Sequence, residues 1–235
     1  MATQVASRRG DARASRAVTP LLVLFDVDGT LLLTHDPLSS DAFQPTLREL
    51  YEVDPPADAV ERVDHGGQTC LRIAREVLRA EGLADDAIDR QLGPWCTLFA
   101  ERYVDLLADA STDDWQVAPH AERALAQLAE MGIRLALLTG NPEPMARARM
   151  ARLGLDRFFP RGQGAFGCDA EERSELIRIA RERAGDWPLD RTVAVGDTPR
   201  DVSGAHAAGI RAIRVKPGED LNEVADVLIA WNRRP

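Results

Sequence analysis

Residues 23–33 read VLFDVDGTLLL, an apolar run that gives way to two aspartates one residue apart, Asp26 and Asp28. Asp-Gly pairs mark turns, which accounts for Asp28-Gly29 but leaves Asp26 inside a strand pattern. Two other apolar runs end in polar residues. LALL is followed by Thr139-Gly140-Asn141, and TVAV by Gly196-Asp197-Thr198-Pro199-Arg200-Asp201. Ligands of an open parallel sheet sit beyond the carboxyl ends of its strands. At such an edge Asp26, Asp28 and Asp197 would repel one another unless a cation sat among them. An all-oxygen donor set suits Mg²⁺, and a dianionic phosphomonoester would complete the charge balance. One carboxylate could then attack phosphorus and form an aspartyl-phosphate. A second could protonate the leaving oxygen and afterwards deprotonate water. In this reading Asp26 is the nucleophile and Asp28 the proton carrier.

These residues need a scaffold that aligns strand ends. Five runs read as buried parallel strands: 21–26, 133–140, 157–160, 192–197 and 210–215. They are continuously apolar, as expected of strands covered by helices on both faces. Helical patterns alternate with them at 119–131, 142–153, 170–184, 199–208 and 221–231. The expectation is an α/β, doubly wound, mostly parallel five-stranded, Rossmann-like core sheet over residues 19–33 and 115–235. Residues 34–114 break the rhythm with helical patterns alone, which predicts an inserted all-helical cap over the strand ends. Residues 1–18 carry four arginines and no apolar stretch, and read as a disordered leader.

Charge divides along the chain. Residues 33–114 hold 7 Arg and 18 Asp or Glu, a net of −11, whereas residues 115–235 are nearly balanced at +1. The overall −9 argues against a nucleic-acid partner, which requires a basic surface. No apolar run approaches the ~20 residues that span a bilayer. Cys70, Cys96 and Cys168 lack metal-ligand spacing and are expected to be separate reduced thiols in a cytoplasmic protein.

DVDGT, LLTGN and VGDTPRD, in that order, resemble the first, second and fourth motifs of the haloacid dehalogenase superfamily, and the resemblance spans roughly residues 21–217. The helical insertion resembles the cap of its phosphoglycolate phosphatase-like members. The resemblance implies an Mg²⁺-dependent phosphohydrolase with Asp26 as nucleophile and Asp28 as general acid and base. It places Thr139 on the phosphoryl oxygens, with Gly140 and Asn141 in support. It gives the metal to Asp26, Asp28 (through its carbonyl) and Asp197, and lets Asp201 orient a metal-bound water or the basic residue. The family's third motif usually has lysine at a helix start, and here GCDAEERSELIRIARERA has none. Arg173 is the candidate, with Arg178 as the second. Arginine keeps its charge and binds phosphate bidentately.

HGGQT at 65–69 resembles the GxT stretch of phosphoglycolate phosphatase-like caps, which makes Thr69 a candidate substrate contact beside the Gly66-Gly67 backbone, Arg72 and Arg75. GQGAFG at 162–167 fits the dinucleotide fingerprint formally, but the strand pattern before it is weak and the helix starts several residues later, a poor context for that motif. The expected partner is a small phosphorylated substrate, with no nucleic acid or membrane, and the chain a monomer or homodimer. A phosphomutase, a 2-haloacid dehalogenase or a non-catalytic phosphometabolite-binding protein would share the scaffold. Asp28 and Asp197 count against the dehalogenase, which needs neither.

Overall fold

The computed structural model describes residues 19–234, so the expected leader lies outside the described residues. Its sheet has four parallel strands in the order β2-β1-β3-β4. They are β1 (Leu22–Phe25), β2 (Arg134–Leu137), β3 (Thr192–Gly196) and β4 (Arg211–Arg214). Phe25 lies opposite both Leu137 and Val195, so three strands end at one level. The ladder continues one residue further, where the Asp26 amide donates to the Val195 carbonyl at 2.9 Å.

Alternate side chains explain the continuously apolar strands. Val23, Phe25, Leu137 and Val195 face a core shared with α4 (Ala121–Glu130), α5 (Glu143–Arg152) and α8 (Leu221–Asn232). Leu22, Leu24, Ala136 and Ala194 face α6 (Arg173–Arg183) and α7 (Pro199–Ala207). Both faces are thus covered, as a parallel sheet requires.

The expected strand at 157–160 is not one. Asp156–Phe158 forms a single 3₁₀ turn, and Phe159 is buried edge-on to Phe25 with ring centroids 6.3 Å apart. Its apolar residues serve the core rather than a ladder, and Pro160 has no amide to donate. Beyond β2 the sheet gains one isolated parallel bridge, Leu138 to Ala165. The Ala165 carbonyl accepts from the Thr139 amide at 3.2 Å, which fixes the start of the LLTGN turn.

Between β1 and α4 lie α1 (Leu38–Tyr51), α2 (Cys70–Ala80) and α3 (Asp85–Asp109). They pack around a separate apolar cluster that includes Phe43, Leu47, Leu78, Trp95 and Phe99. The Trp95 and Phe99 rings stack with centroids 5.1 Å apart. The two connections to the sheet run side by side. The Leu33 amide donates to the Gln116 carbonyl, and the Gln116 amide to Thr34 Oγ1, both at 2.8 Å.

The expectation of three separate thiols does not hold. Cys96 on α3 and Cys168 in the loop before α6 form a disulfide, with Cys70 Sγ 3.6 Å from Cys96 Sγ. The pair is 72 residues apart in sequence, and spacing alone could not join them.

Candidate active site

Asp26 and Asp197 extend from the ends of β1 and β3. The chain runs from β1 to β2 on one side and then crosses to β3 on the other, so the sheet's switch point lies at these two ends. Carboxylate oxygens of Asp26, Asp197 and Asp201 lie within 4.8 Å of one another. The turn after Asp28 brings them close. Gly29 has φ +76°, and a Cβ there would collide with the Asp197 carboxylate.

Arg173, the first residue of α6, is buried against this cluster. Its Nη2 lies 3.1 Å from Asp26 Oδ1, makes an ion contact with Asp201 Oδ1, and donates to the Leu138 carbonyl at 3.3 Å. Arg178 is exposed and paired with Glu175 and Glu182, which removes it as the basic residue of the site. Asp201 works in two directions. Its Oδ2 accepts from the amide and hydroxyl of Thr198 at 2.8 and 2.7 Å, closing a capping box on α7, while Oδ1 faces Arg173. Thr198 therefore caps this helix and leaves Asp197 unused by it.

Burial chiefly pushes the Asp26 carboxyl up to about 8; Arg173 opposes the shift, and Asp201 and Asp28 reinforce it. Asp197 is shifted upward too, by burial first and then by Asp201. A crowded acidic group at a strand end is costly by itself, and what stabilises it is positive charge.

A second guanidinium holds Asp28. Arg149 of α5 places Nη1 2.8 Å from Asp28 Oδ1 and Nη2 2.8 Å from Asp36 Oδ2, and its Nε donates to the Tyr103 hydroxyl at 2.9 Å. Tyr103 on α3 donates in turn to Asp36 at 2.5 Å. The other oxygen of Asp28 accepts from Asn141 Nδ2 at 2.5 Å. Asp28 is thus tied to the inserted helices and to the LLTGN turn at once.

Thr139 is buried, and its Oγ1 accepts from the Asn141 amide and side chain at 3.3 and 3.1 Å. Gly140 sits directly under the insertion, where a Cβ would strike the Gln68 carbonyl. A cavity of about 460 Å³ opens here between sheet edge and insertion, lined by Asp26, Asp28, Thr139, Asn141, Arg173 and Asp197 among others. Gly66 and Gly67 line it as well, but Thr69 does not. The Thr69 hydroxyl caps α2 by accepting from the Arg72 amide at 3.2 Å and donates to the Glu171 carbonyl at 2.9 Å. The candidate substrate contact at Thr69 is therefore corrected to a structural one. Arg75 is similarly occupied by Glu171, Asp85 and Asp89, and Arg72 pairs with Glu76.

Five carboxylates (Asp26, Asp28, Asp36, Asp197 and Asp201) face two guanidiniums, which leaves the pocket short of positive charge. Buried Asp201 Oδ1 has no aligned hydrogen-bond donor despite its ion contact. The donors are all oxygen, as a hard divalent cation requires, so the residues fit Mg²⁺.

The family profile of haloacid dehalogenase-like hydrolases matches residues 21–209. The chain belongs to this family. The phosphoglycolate phosphatase of Rhodospirillum rubrum is 33% identical over 210 residues, covering 88% of this chain and 84% of its own length. The tyrosine-protein kinase PtkA of Mycobacterium tuberculosis is 31% identical over 206 residues, covering 86% of this chain. The match spans 64% of PtkA, less than two thirds of that protein. Among solved structures, CbbY from Rhodobacter sphaeroides in complex with phosphate superposes with TM-score 0.59 at 24% identity, covering 84% of this chain and 87% of its own. That likeness concerns the fold.

Set within the family, the strand-end residues were legible from their motifs, and Arg173 from its place at a helix start. The Arg149–Asp36–Tyr103 group was not. Arg149 comes from α5, Tyr103 from α3 and Asp36 from the loop before α1, and a charged residue inside a helical pattern reads as a solvated face until packing buries it.

Proposed function

We propose that this chain is a Mg²⁺-dependent phosphatase that hydrolyses a small phosphomonoester through an aspartyl-phosphate on Asp26. The observation that carries the reading is the convergence of Asp26 and Asp197 at the switch point, with the Arg173 guanidinium 3.1 Å from Asp26. The similarity to phosphoglycolate phosphatases, at 27–33% identity, supports the reading.

The carboxylates of Asp26 and Asp197 and the Asp28 carbonyl would hold Mg²⁺. When bound, the ion would neutralise phosphoryl charge. Arg173 and the Thr139 hydroxyl bind the remaining phosphoryl oxygens, beside the Gly140-Asn141 turn. Asp26 attacks phosphorus, and Asp28 gives its proton to the leaving alkoxide as the ester bond breaks. Asp28 then takes a proton from water, which attacks the same phosphorus and frees Asp26 and inorganic phosphate. Arg149 and Asn141 hold the Asp28 carboxylate so that it can serve both steps. The helical insertion acts as a cap that excludes bulk water from the intermediate.

A panel of phosphorylated metabolites, including phosphoglycolate, sugar phosphates and a nucleoside triphosphate, assayed with Mg²⁺ tests this. Phosphate release should require the metal, stop with chelator and vanish in Asp26→Asn. Full release by Asp26→Asn, or conversion of a sugar phosphate to its isomer without free phosphate, would refute the phosphatase.

A further inference from the structure

Three sulfur atoms meet immediately behind the site. Cys70 comes from the first turn of α2, Cys96 from the middle of α3, and Cys168 from the loop that leads into α6. Cys96 and Cys168, with Cα atoms 6.0 Å apart, form a crosslink from cap to core. It closes on the phosphate-binding turn itself. The Cys70 amide donates to the Gly140 carbonyl and the Gly167 amide to the Asn141 carbonyl, both at 2.8 Å. The loop that carries Cys168 also carries Glu171, which Arg75 of the cap grips with Nε and Nη2.

We propose that Cys96 and Cys168 are a thiol–disulfide site that locks the cap shut over the catalytic carboxylates, an inference that rests on reading the insertion as a cap. The other contacts between insertion and core are ion pairs, hydrogen bonds and the packing of Met145 of α5 into the insertion's apolar cluster, non-covalent contacts that can part when substrate enters and product leaves. A covalent bond cannot. Cys168 is exposed whereas Cys96 is buried, so exchange begins at Cys168. A small organic disulfide is the oxidant. The Cys168 thiolate attacks one of its sulfurs and releases one thiol, leaving a mixed disulfide. The Cys96 thiolate then attacks the Cys168 sulfur and releases the second thiol. Two electrons pass to the small disulfide, and the two cysteine protons leave with its thiols or to solvent. A dithiol reductant runs the same steps backwards. Cys70, buried at the seam where it borders the cavity, has its thiol held well above the usual range by burial, so it stays out of the exchange while the cap is shut.

Cys70 is also the built-in reporter of opening, since it is only 5% exposed and a thiol reagent gains free access to it once the cap lifts from Gly140. The full chain, treated with oxidised glutathione or with dithiothreitol, is exposed to N-ethylmaleimide, and its peptides are mapped by mass. Oxidation should yield the Cys96–Cys168 peptide and slow Cys70 labelling by about tenfold, with phosphomonoester turnover falling in parallel and returning with dithiothreitol. Cys168→Ser should keep the reduced rates and lose the response to oxidation. Glutathione left on Cys168 without the crosslink, or equal Cys70 labelling in crosslinked and reduced chains, would overturn the lock. The labelling needs no turnover. A chain that hydrolyses no phosphomonoester would therefore sink the proposed function while leaving the lock to be judged by Cys70.

Discussion

Arg173 Nη2 lies 3.1 Å from Asp26 Oδ1 and in ion contact with Asp201, so one guanidinium bridges the proposed nucleophile and the capping box of α7. Both contacts are made by one nitrogen, so a lysine ammonium could reach the same two carboxylates, but it would forfeit the second nitrogen's hydrogen bond to the Gly67 carbonyl. Arg173→Lys should therefore keep part of the activity, and Arg173→Met should lose about 100-fold to 1,000-fold in kcat, the usual effect of removing one transition-state donor. Steady-state kinetics on the best substrate of the panel checks the order.

Arg149 supports structure and site together. It is buried between Asp28 and Asp36, and Asp36 is itself buried. Arg149→Met leaves Asp36 without its partner and should cost about 3–5 kcal/mol in denaturant unfolding. The double variant Asp36→Asn, Arg149→Met should recover much of that stability, since the stranded charge is gone. It should not recover turnover, because Asp28 has still lost its positioning guanidinium.

What could be read from the sequence follows from how each residue is placed. Asp26, Asp28 and Asp197 sit at ends of apolar runs, where the chain itself dictates position. Arg173 starts a helix, and the apolar pattern after it marks that start in the sequence. Phe158 and Phe159 misled because apolar residues serve a core as well as a strand. Thr69 misled because a threonine before a helix is first of all a cap. Arg149 with Asp36, and Cys96 with Cys168, meet only through tertiary packing, which no local pattern encodes.

The acidic cluster gives the metal-free protein a defined response to pH. The Asp26 carboxyl ordinarily titrates at 3.8 and here at about 8, raised chiefly by burial. Between those values the folded chain keeps a proton that the unfolded chain has lost. Its stability contribution is therefore present at low pH and disappears as pH rises through about 8. Without Mg²⁺, wild type should lose stability relative to Asp26→Asn as pH is raised from 4 to 8. Melting temperatures of the two proteins across that range read the difference, and parallel curves would show that Asp26 is not so shifted.

Mg²⁺ should reverse the trend, because it binds the ionised carboxylates. At a hundredfold excess over its Kd, a ligand confined to the folded state stabilises it by about 2.7 kcal/mol. The thermal shift with Mg²⁺ should grow with pH, and Asp197→Asn should remove most of it. An undiminished shift in that variant would place the ion elsewhere.

A phosphoryl group carried by Asp26 is the intermediate on which the proposed phosphatase chemistry rests. Acid quenching of the enzyme during turnover with Mg²⁺, followed by peptide mapping, looks for it directly. The phosphoryl mass should appear on the peptide containing Asp26, resist acid, disappear in mild alkali and be absent from Asp26→Asn. Sustained phosphate release by the wild type, with a phosphoryl group found on another residue or Asp26→Asn still fully active, would contradict it.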